Sequence, residues 1–473
     1  VIPREQRGEV DDMCACAAAR RGLSTRCVGS VVRALQARGM VRSHTDGIVG
    51  PVGGVAVYAG FDPTGPGLHV GHLVVLNALQ VCAAEGMSVV ALVGGGTGMI
   101  GDPSGRSTER NLLSWEETQT NAASVEADIR RILPDAKVLN NAEHIRAMTA
   151  VDLVRDVGKH VRINTLLRLD SIAGRLDSQE GISFTEFSYC LLQAADFLWL
   201  HQTENVVLQL GGSDQWGNIT LGVDLIRRKL QSTVHGITLP LLTTSDGKKI
   251  GKSTTMTSGE SRESAVWLDP QKTSPFEFFQ YFVRMTEEDC RRLMPLLCLV
   301  PLEEIEALQM EASRRDPSES FFQKEMAFAV TRHVHGVEAA DKARRASQLL
   351  FDEGSELIGN EDTLQLLQSA TVPFHELAQP LPETVLDACV TLSLCKSKGE
   401  CRRLVSSGGL YVNHQRIEDP RTPLQPLLLC PGRAEEGSTS FALVRFGKKQ
   451  YHVVVARNRG ERQSLGVHVP SKQ

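Results

Sequence analysis

VAVYAGFDPTGPGLHVGHLVVLNALQVCAAEGMSVVALV, residues 55–93, decides the fold. Val55–Phe61 is an apolar run, DPTGPG at 62–67 is a Pro/Gly turn, Leu68–Gly86 repeats its apolar residues at helical period, and Met87–Val93 is a second apolar run. Run, turn, helix, run spells a βαβ unit, with Gly86 near the helix end. Helical patterns follow at Ser114–Leu133, Ala150–Leu167 and Phe184–His201, then the strand NVVLQLGG (205–212) and a helix over Ile219–Gln231. This order predicts an α/β domain with a mostly parallel sheet.

Beyond Trp267 the pattern turns helical from Pro275 to Leu350, without strand runs. Residues 353–382, rich in Pro, Gly, Gln, Ser and Thr, read as a linker. The final module, 383–473, carries two short helical patterns, GGLYVNHQRI, and the strand pair FALVRFGKKQYHVVVA hinged at Gly447. Three domains suit a 473-residue chain. Hydrophobic residues at 41% and charged residues at 23% exclude a disordered chain. No apolar stretch approaches the ~20 residues of a membrane span, so no membrane partner is expected. Eleven cysteines without a CxxC pair argue against a disulfide framework or a zinc ribbon.

The charge is uneven. Lys396–Gln473 holds 14 basic and 6 acidic residues, whereas Asp46–Cys395 holds 29 and 46. A basic module on an acidic body is a polyanion-binding arrangement. Met13–Thr45 contains Arg20, Arg21, Arg26, Arg33, Arg38 and Arg42 with no Asp or Glu. That is the composition of an organellar transit peptide. Residues 1–45 are therefore expected to be a leader, addressing the mitochondrial matrix or a plastid.

Several residue sets carry chemistry. His69 and His72 put two imidazoles on one face at a helix N-terminus, where backbone N–H groups favour phosphate, and Gly71 permits close approach. No third metal ligand accompanies the pair, so no protein metal site is expected. Asp62 and Thr64 add a carboxylate and a hydroxyl just upstream. DGKKIGKS at 246–253 is a lysine-bearing loop one residue short of a Walker P-loop. Gly96, Gly98 and Gly101 form a GxGxxG, but no acid stands where a dinucleotide ribose needs one. Tyr189, Gln193 and Asp196 share one helix face and could line a polar pocket, and Asp214 and Gln215 follow a strand end.

Together these segments resemble one family. YAGFDPTGPGLHVGH is similar to the first signature of class I aminoacyl-tRNA synthetases in its tyrosyl form, with HVGH for HIGH and KIGKS for KMSKS. ALVGGGTGMIGDPSGRSTER, GISFTEFSYCLLQAADF and LQLGGSDQWGNI resemble the bacterial and organellar tyrosyl-tRNA synthetases, and the likeness runs from about Val52 to Ala456. It implies a Rossmann-like nucleotide-binding catalytic domain with a dimer-forming insertion (46–270), a helical anticodon-binding domain (271–352) and an α+β RNA-binding domain of ribosomal-protein type (383–473).

The resemblance also implies roles. Tyr58 and Asp196 would meet a tyrosine phenol, and Asp102, Tyr189 and Gln193 its ammonium. Gly60, Asp62, Gly71, Gly212, Asp214 and Gln215 would hold ATP and the adenylate. Thr64, His69, His72, Lys249, Lys252 and Ser253 would act on the phosphates, with Mg2+ arriving on ATP. Lys396, Lys398, Arg402, Arg403, Lys448 and Lys449 would contact tRNA(Tyr), and the chain would form a homodimer. Tryptophanyl-tRNA synthetase is the sister alternative, and an RNA-binding or splicing cofactor on a synthetase scaffold a more distant one. Departures from the family are Ala59 in place of Cys, Ala195 in place of an aromatic residue, NNAEHI at 140–145, and TTMTSGESRE, which lengthens the loop after Ser253.

Overall fold

The computed structural model describes residues 27–104, 112–176, 181–247, 250, 252–257, 260–352, 357, 359–370, 372–429, 439–447 and 450–457, with backbone alone at 252–257, 260–264 and 457. Lys249, Lys448 and Lys449 lie outside the described residues, as do the side chains of Lys252 and Ser253. Two compact units result, one from residues up to 273 with 281–334, the other from 274–280 with 335 onward.

The first unit is built on a six-stranded sheet. Its strands are β1 (Ser43–His44), β2 (Ala56–Phe61), β3 (Ser88–Val93), β4 (Lys137–Asn140), β5 (Val206–Gly212) and β6 (His235–Leu239), in the order β1-β6-β5-β2-β3-β4. All pairs are parallel except β1 with β6, where Ser43 faces Thr238. Helices α1 (Val28–Ala37), α2 (Val70–Ala84), α3 (Trp115–Ile132), α4 (Phe184–Glu204) and α5 (Trp216–Leu230) belong to this unit. The central β2 reads as a nearly unbroken apolar run because it is covered on both faces. The chain winds from β2 to β3 and β4, then returns on the other side of β2 with β5. The crevice beyond the carboxyl ends of β2 and β5 is therefore a topological switch point, where α/β proteins place ligands.

Three expectations are corrected. Ala150–Leu167 is not one helix: short pieces at Ala150–Asp152, Leu153–Val157, Gly158–His160 and Ile163–Leu166 replace it. Its apolar period splits between a buried set, Val157 and Leu166, and an exposed set, Val151, Val154 and Ile163, so no single stripe holds it to the core. Residues 28–45, expected as part of a leader, are folded into the first unit. Val28, Val31, Val32 and Leu35 of α1 are buried, β1 pairs with β6, and Arg38 donates to the carbonyls of Pro295, Cys298 and Val300. An arginine that meets backbone carbonyls, as Arg38 does, needs no acid nearby and so adds to a composition that reads as a targeting segment.

The stretch expected as linker, 353–382, is the third. It holds the helix Glu361–Ser369 and strand β9 (Phe374–Leu377), which pairs in parallel with the strand at the far end of the chain. The expected helical domain is likewise shared: Glu287–Leu297 and Leu302–Ala312 join the first unit, and Val337–Phe351 the second.

The second unit centres on a five-stranded sheet of β9, β10 (Leu410–Val412), β11 (Gln415–Arg416), β12 (Thr439–Phe446) and β13 (Gln450–Arg457), ordered β11-β10-β12-β13-β9. One face packs Ala442, Val444, Phe446 and Val454 with residues of the helices Val385–Thr391 and Lys398–Ser406. The other packs Phe441, Leu443, Tyr451, Val453 and Val455 with residues of Val337–Phe351 and Glu361–Ser369. Among the described residues no helix is long and apolar enough to cross a membrane.

Candidate active site

A cavity of about 380 Å³ opens at the switch point, lined among others by Tyr58, Gly60, Asp62, Thr64, His69, Gly71, His72, Asp102, Tyr189, Gln193, Asp196, Gly212, Asp214 and Gln215. Residues spread over 158 positions of sequence thus converge because each lies on a parallel strand, follows one at its carboxyl end, or lies on α4.

The floor is polar and enclosed. Tyr58 is buried on β2 with its ring 5.2 Å from that of Phe197, and Gln209 stands beside it in register on β5. Asp196 is buried on α4, and Asn141 donates to its Oδ2 at 2.8 Å. Tyr58 Oη, Asp196 Oδ1 and Gln209 Oε1 have no hydrogen-bond partner among the described residues. Buried polar oxygens without partners are costly, so three around one cavity mark a place for a polar ligand atom. Burial pushes the Asp196 carboxyl up to about 8, against the Asn141 donation and with a contribution from Asp62's charge.

The walls are cross-braced. Tyr189 Oη donates to Asp62 Oδ2 at 2.6 Å, and Thr97 Oγ1 to Asp62 Oδ1 at 2.7 Å. Gln215 Nε2 donates to Asp102 Oδ2 at 2.5 Å, Ser104 N donates to Asp102 Oδ1, and Asn218 Nδ2 donates to Gln193 Oε1 at 3.0 Å. The GGGTG run after β3 serves packing: a Cβ at Gly94 would lie 2.0 Å from Asp62 Oδ1, and one at Gly98 2.9 Å from Pro63. Thr97–Met99 is a single 3-10 turn, which leaves no helix start for a dinucleotide.

The rim holds the histidines. His69 caps α2 in an extended conformation, its Nδ1 accepting from Gly71 N at 3.0 Å, while His69 N donates to His72 Nδ1 at 3.1 Å. The rings lie 4.1 Å apart. An Nδ1 that accepts leaves the proton on Nε2, so each ring is a neutral Nε2–H donor. Burial, with His69 adjacent, holds His72 down at about 3. A Cβ on Gly71 would fall 2.6 Å from His69 Cε1, which is why glycine separates the pair. Ahead of them, Asp128 of α3 accepts from Leu68 N at 2.8 Å and fixes the turn.

Of the expected residues, the cavity gathers every catalytic, tyrosine and adenylate candidate whose side chain is described. Ala59 and Ala195 are buried and do not line it. The residues after Ser253 form a hairpin, β7 (Lys252–Thr257) against β8 (Glu260–Ala265), instead of a longer loop. In the second unit Lys396, Arg402 and Arg403 are exposed, and Lys398 pairs with Asp387 at 2.7 Å. Sequence reasoning missed Asn141 and Gln209; the signals were an Asn pair at the end of β4 and a Gln inside an apolar strand.

Residues 53–352 match the model of the family described as tRNA synthetases class I (W and Y). The chain belongs to that family and is an aminoacyl-tRNA ligase. Its relatives narrow the branch: the chain is 40% identical over 444 residues to a tyrosine–tRNA ligase of Rhodopirellula baltica, covering 91% of this chain and 97% of that one. It is 41% identical over 442 residues to one of Anaeromyxobacter dehalogenans, covering 90% and 100%. Residues 365–454 match the tyrosine–tRNA ligase SYY-like C-terminal domain. Among solved structures, a C-terminally truncated mitochondrial tyrosyl-tRNA synthetase of Aspergillus nidulans is similar, with a TM-score of 0.59, 28% identity, and coverage of 73% of this chain and 99% of that chain.

Proposed function

We propose that the protein activates L-tyrosine with ATP, releasing pyrophosphate, and transfers the tyrosyl group to the 3′ end of tRNA(Tyr). The observation that carries this is the cavity floor, where Tyr58 Oη and Asp196 Oδ1 stand without partners among the described residues. The phenol of bound tyrosine can donate to Asp196 Oδ1 and accept from Tyr58 Oη. An indole N–H can only donate, and a phenyl ring can do neither, so tryptophan and phenylalanine leave buried groups unmatched. Tyr189, Gln193 and Asp102 supply acceptors for the ammonium group.

The tyrosine carboxylate is itself the nucleophile toward the α-phosphorus, so no protein base is required. As the bond to the β-phosphate breaks, the neutral Nε2–H groups of His69 and His72 and the α2 terminus donate to the phosphate oxygens. Lys249, Lys252 and Ser253 complete the clamp on departing pyrophosphate, and Mg2+ travels with ATP as part of the substrate. Loss of one such donor costs ~3 kcal/mol of barrier. Lys396, Lys398, Arg402, Arg403, Lys448 and Lys449 position the tRNA through its phosphates.

Two further expectations remain proposals. Val151, Val154, Ile163, Leu167, Leu176 and Phe184 are large apolar side chains exposed within one stretch, which supports a homodimer through this insertion; light scattering at the monomer mass would oppose it. Met13–Arg26, acid-free and Arg-bearing, supports import into the mitochondrial matrix, with a plastid as the alternative. Deletion of 13–26 should leave the protein outside the organelle, and unchanged import would oppose the reading.

The decisive experiment is amino-acid-dependent ATP–pyrophosphate exchange with tyrosine, phenylalanine and tryptophan offered separately. Exchange confined to tyrosine is expected. Tryptophan dependence would move the chain to the sister branch, and a folded protein without exchange would refute the proposal.

A further inference from the structure

The segment that carries the lysines is tied to the rest of the first unit at both of its roots. At the entry, Ser245 N donates to Asp289 Oδ1 at 2.8 Å, and Arg292 donates to Thr243 O while holding Asp289 Oδ1 at 3.0 Å. Both acceptor and donor come from the helix Glu287–Leu297, far along the chain, and Asp289 is buried. At the exit, beyond β8, Val70 N donates to Val266 O at 2.9 Å and Leu268 N to Leu68 O at 2.8 Å, which joins the hairpin's end directly to the histidine turn.

The same helix reaches the histidine helix. Asn77 of α2, fully buried, donates through Nδ2 to Leu296 O at 2.9 Å, and its Oδ1 lies 2.7 Å from His333 Nε2. One rigid element therefore touches α2 at its C-terminal end and the entry root of the lysine segment at its N-terminal end. The separation of the histidine turn and the lysine segment is held by that element at the entry root, as it is by the Val266 and Leu268 bonds at the exit.

We infer that Asp289 is a positioning residue for phosphate activation: it fixes the entry root at Ser245, and the helix Glu287–Leu297 transmits that position to α2 through Leu296 and Asn77. This rests on the proposed function and names a residue that touches no substrate. Asp289 also belongs to its own helix cap, where Asp289 N donates to Thr286 Oγ1 at 3.1 Å and Thr286 Oγ1 to Asp289 Oδ2 at 3.0 Å. A merely structural role would run through that cap, so Thr286→Ala serves as the control.

The test compares the full-length chain with Asp289→Ala, Asp289→Asn, Arg292→Ala and Thr286→Ala. It measures single-turnover tyrosyl-adenylate formation by quenched flow, tyrosine Kd by equilibrium dialysis, and Tm. Asp289→Ala should slow adenylate formation about tenfold or more, as misplacement of reacting groups does, with tyrosine Kd within about twofold. Asp289→Asn, which keeps an oxygen for Ser245 N, should recover most of the rate. Thr286→Ala should lower Tm with the rate within about twofold of the unsubstituted chain. An unaffected rate in Asp289→Ala, or an equal loss in Thr286→Ala, overturns the inference. If Asp289→Ala does not fold, Arg292→Ala decides: a rate loss with tyrosine Kd retained supports the inference, and an unchanged rate overturns it. Absence of tyrosine-dependent activity in the unsubstituted chain refutes the underlying reading instead.

Discussion

Asn141→Ala tests the pocket floor through a residue that need not touch the ligand. Asn141 is fully buried and makes three bonds: its Oδ1 accepts from Gly96 N at 2.8 Å, and its Nδ2 donates to Thr97 Oγ1 at 3.1 Å and to Asp196 Oδ2 at 2.8 Å. The substitution leaves Asp196 with neither oxygen bonded by the bonds described, since Oδ1 already has no partner. A hydrogen bond to a charged group contributes about 1.5–3 kcal/mol. The donation also holds the Asp196 carboxyl down, so its loss moves that group further above about 8 and makes its ionisation against the bound phenol costlier. If this loss falls on the bound phenol, tyrosine Kd rises roughly 10- to 150-fold. Phenylalanine has no hydroxyl to lose, so its weaker binding should move much less and the Tyr/Phe preference should narrow. Equilibrium dialysis with both amino acids reads this directly. Equal weakening of the two would mean that Asn141 only fills space, and an unchanged tyrosine Kd would remove Asp196 from the phenol site.

Other outcomes follow from the same geometry. Asp196 stays protonated in the fold from about its ordinary 3.8 up to about 8 while the unfolded chain is ionised. Its contribution to stability is thus complete below pH ~4 and gone once the pH passes about 8. Tm of the ligand-free protein should fall more between pH 5 and 8.5 than that of Asp196→Asn, and parallel profiles would contradict the shift. Gly71→Ala places a carbon 2.6 Å from His69 Cε1 and must displace the ring. Exchange should drop about tenfold or more at unchanged tyrosine Kd, whereas normal exchange would show that the ring pair is dispensable. A cut after Pro382 removes Phe441, Leu443, Tyr451, Val453 and Val455 from the helices Val337–Phe351 and Glu361–Ser369. The fragment should bind a hydrophobic dye and self-associate; a monodisperse fragment that binds none would show that these helices are stable alone.

The βαβ stretch at 55–93 and the stripe Tyr189, Gln193, Asp196 were legible because each depends on spacing within one element. The braces were not. Asn141 meets Asp196 from 55 residues away, and Asp128 meets Leu68 from 60, contacts that exist only once the strands are ordered. Composition misled where two causes produce one pattern. Arg38 satisfies carbonyls yet belongs to a stretch that resembles a leader, and Phe374–Leu377 sits among linker-like residues yet completes a sheet. At Ala150–Leu167 the helical period was present, but half its apolar residues face outward.

Strand β1 is only two residues long, yet it occupies the outer rim of β6. Residues 235–239, HGITL, are all buried and β-branched at two of five positions. Without β1 they would offer a row of unsatisfied amides and carbonyls to any passing chain, the template on which strands from separate molecules add edge to edge. Ser43 and His44 therefore cover that edge, and a chain trimmed into them should expose it and self-associate, which sedimentation would read.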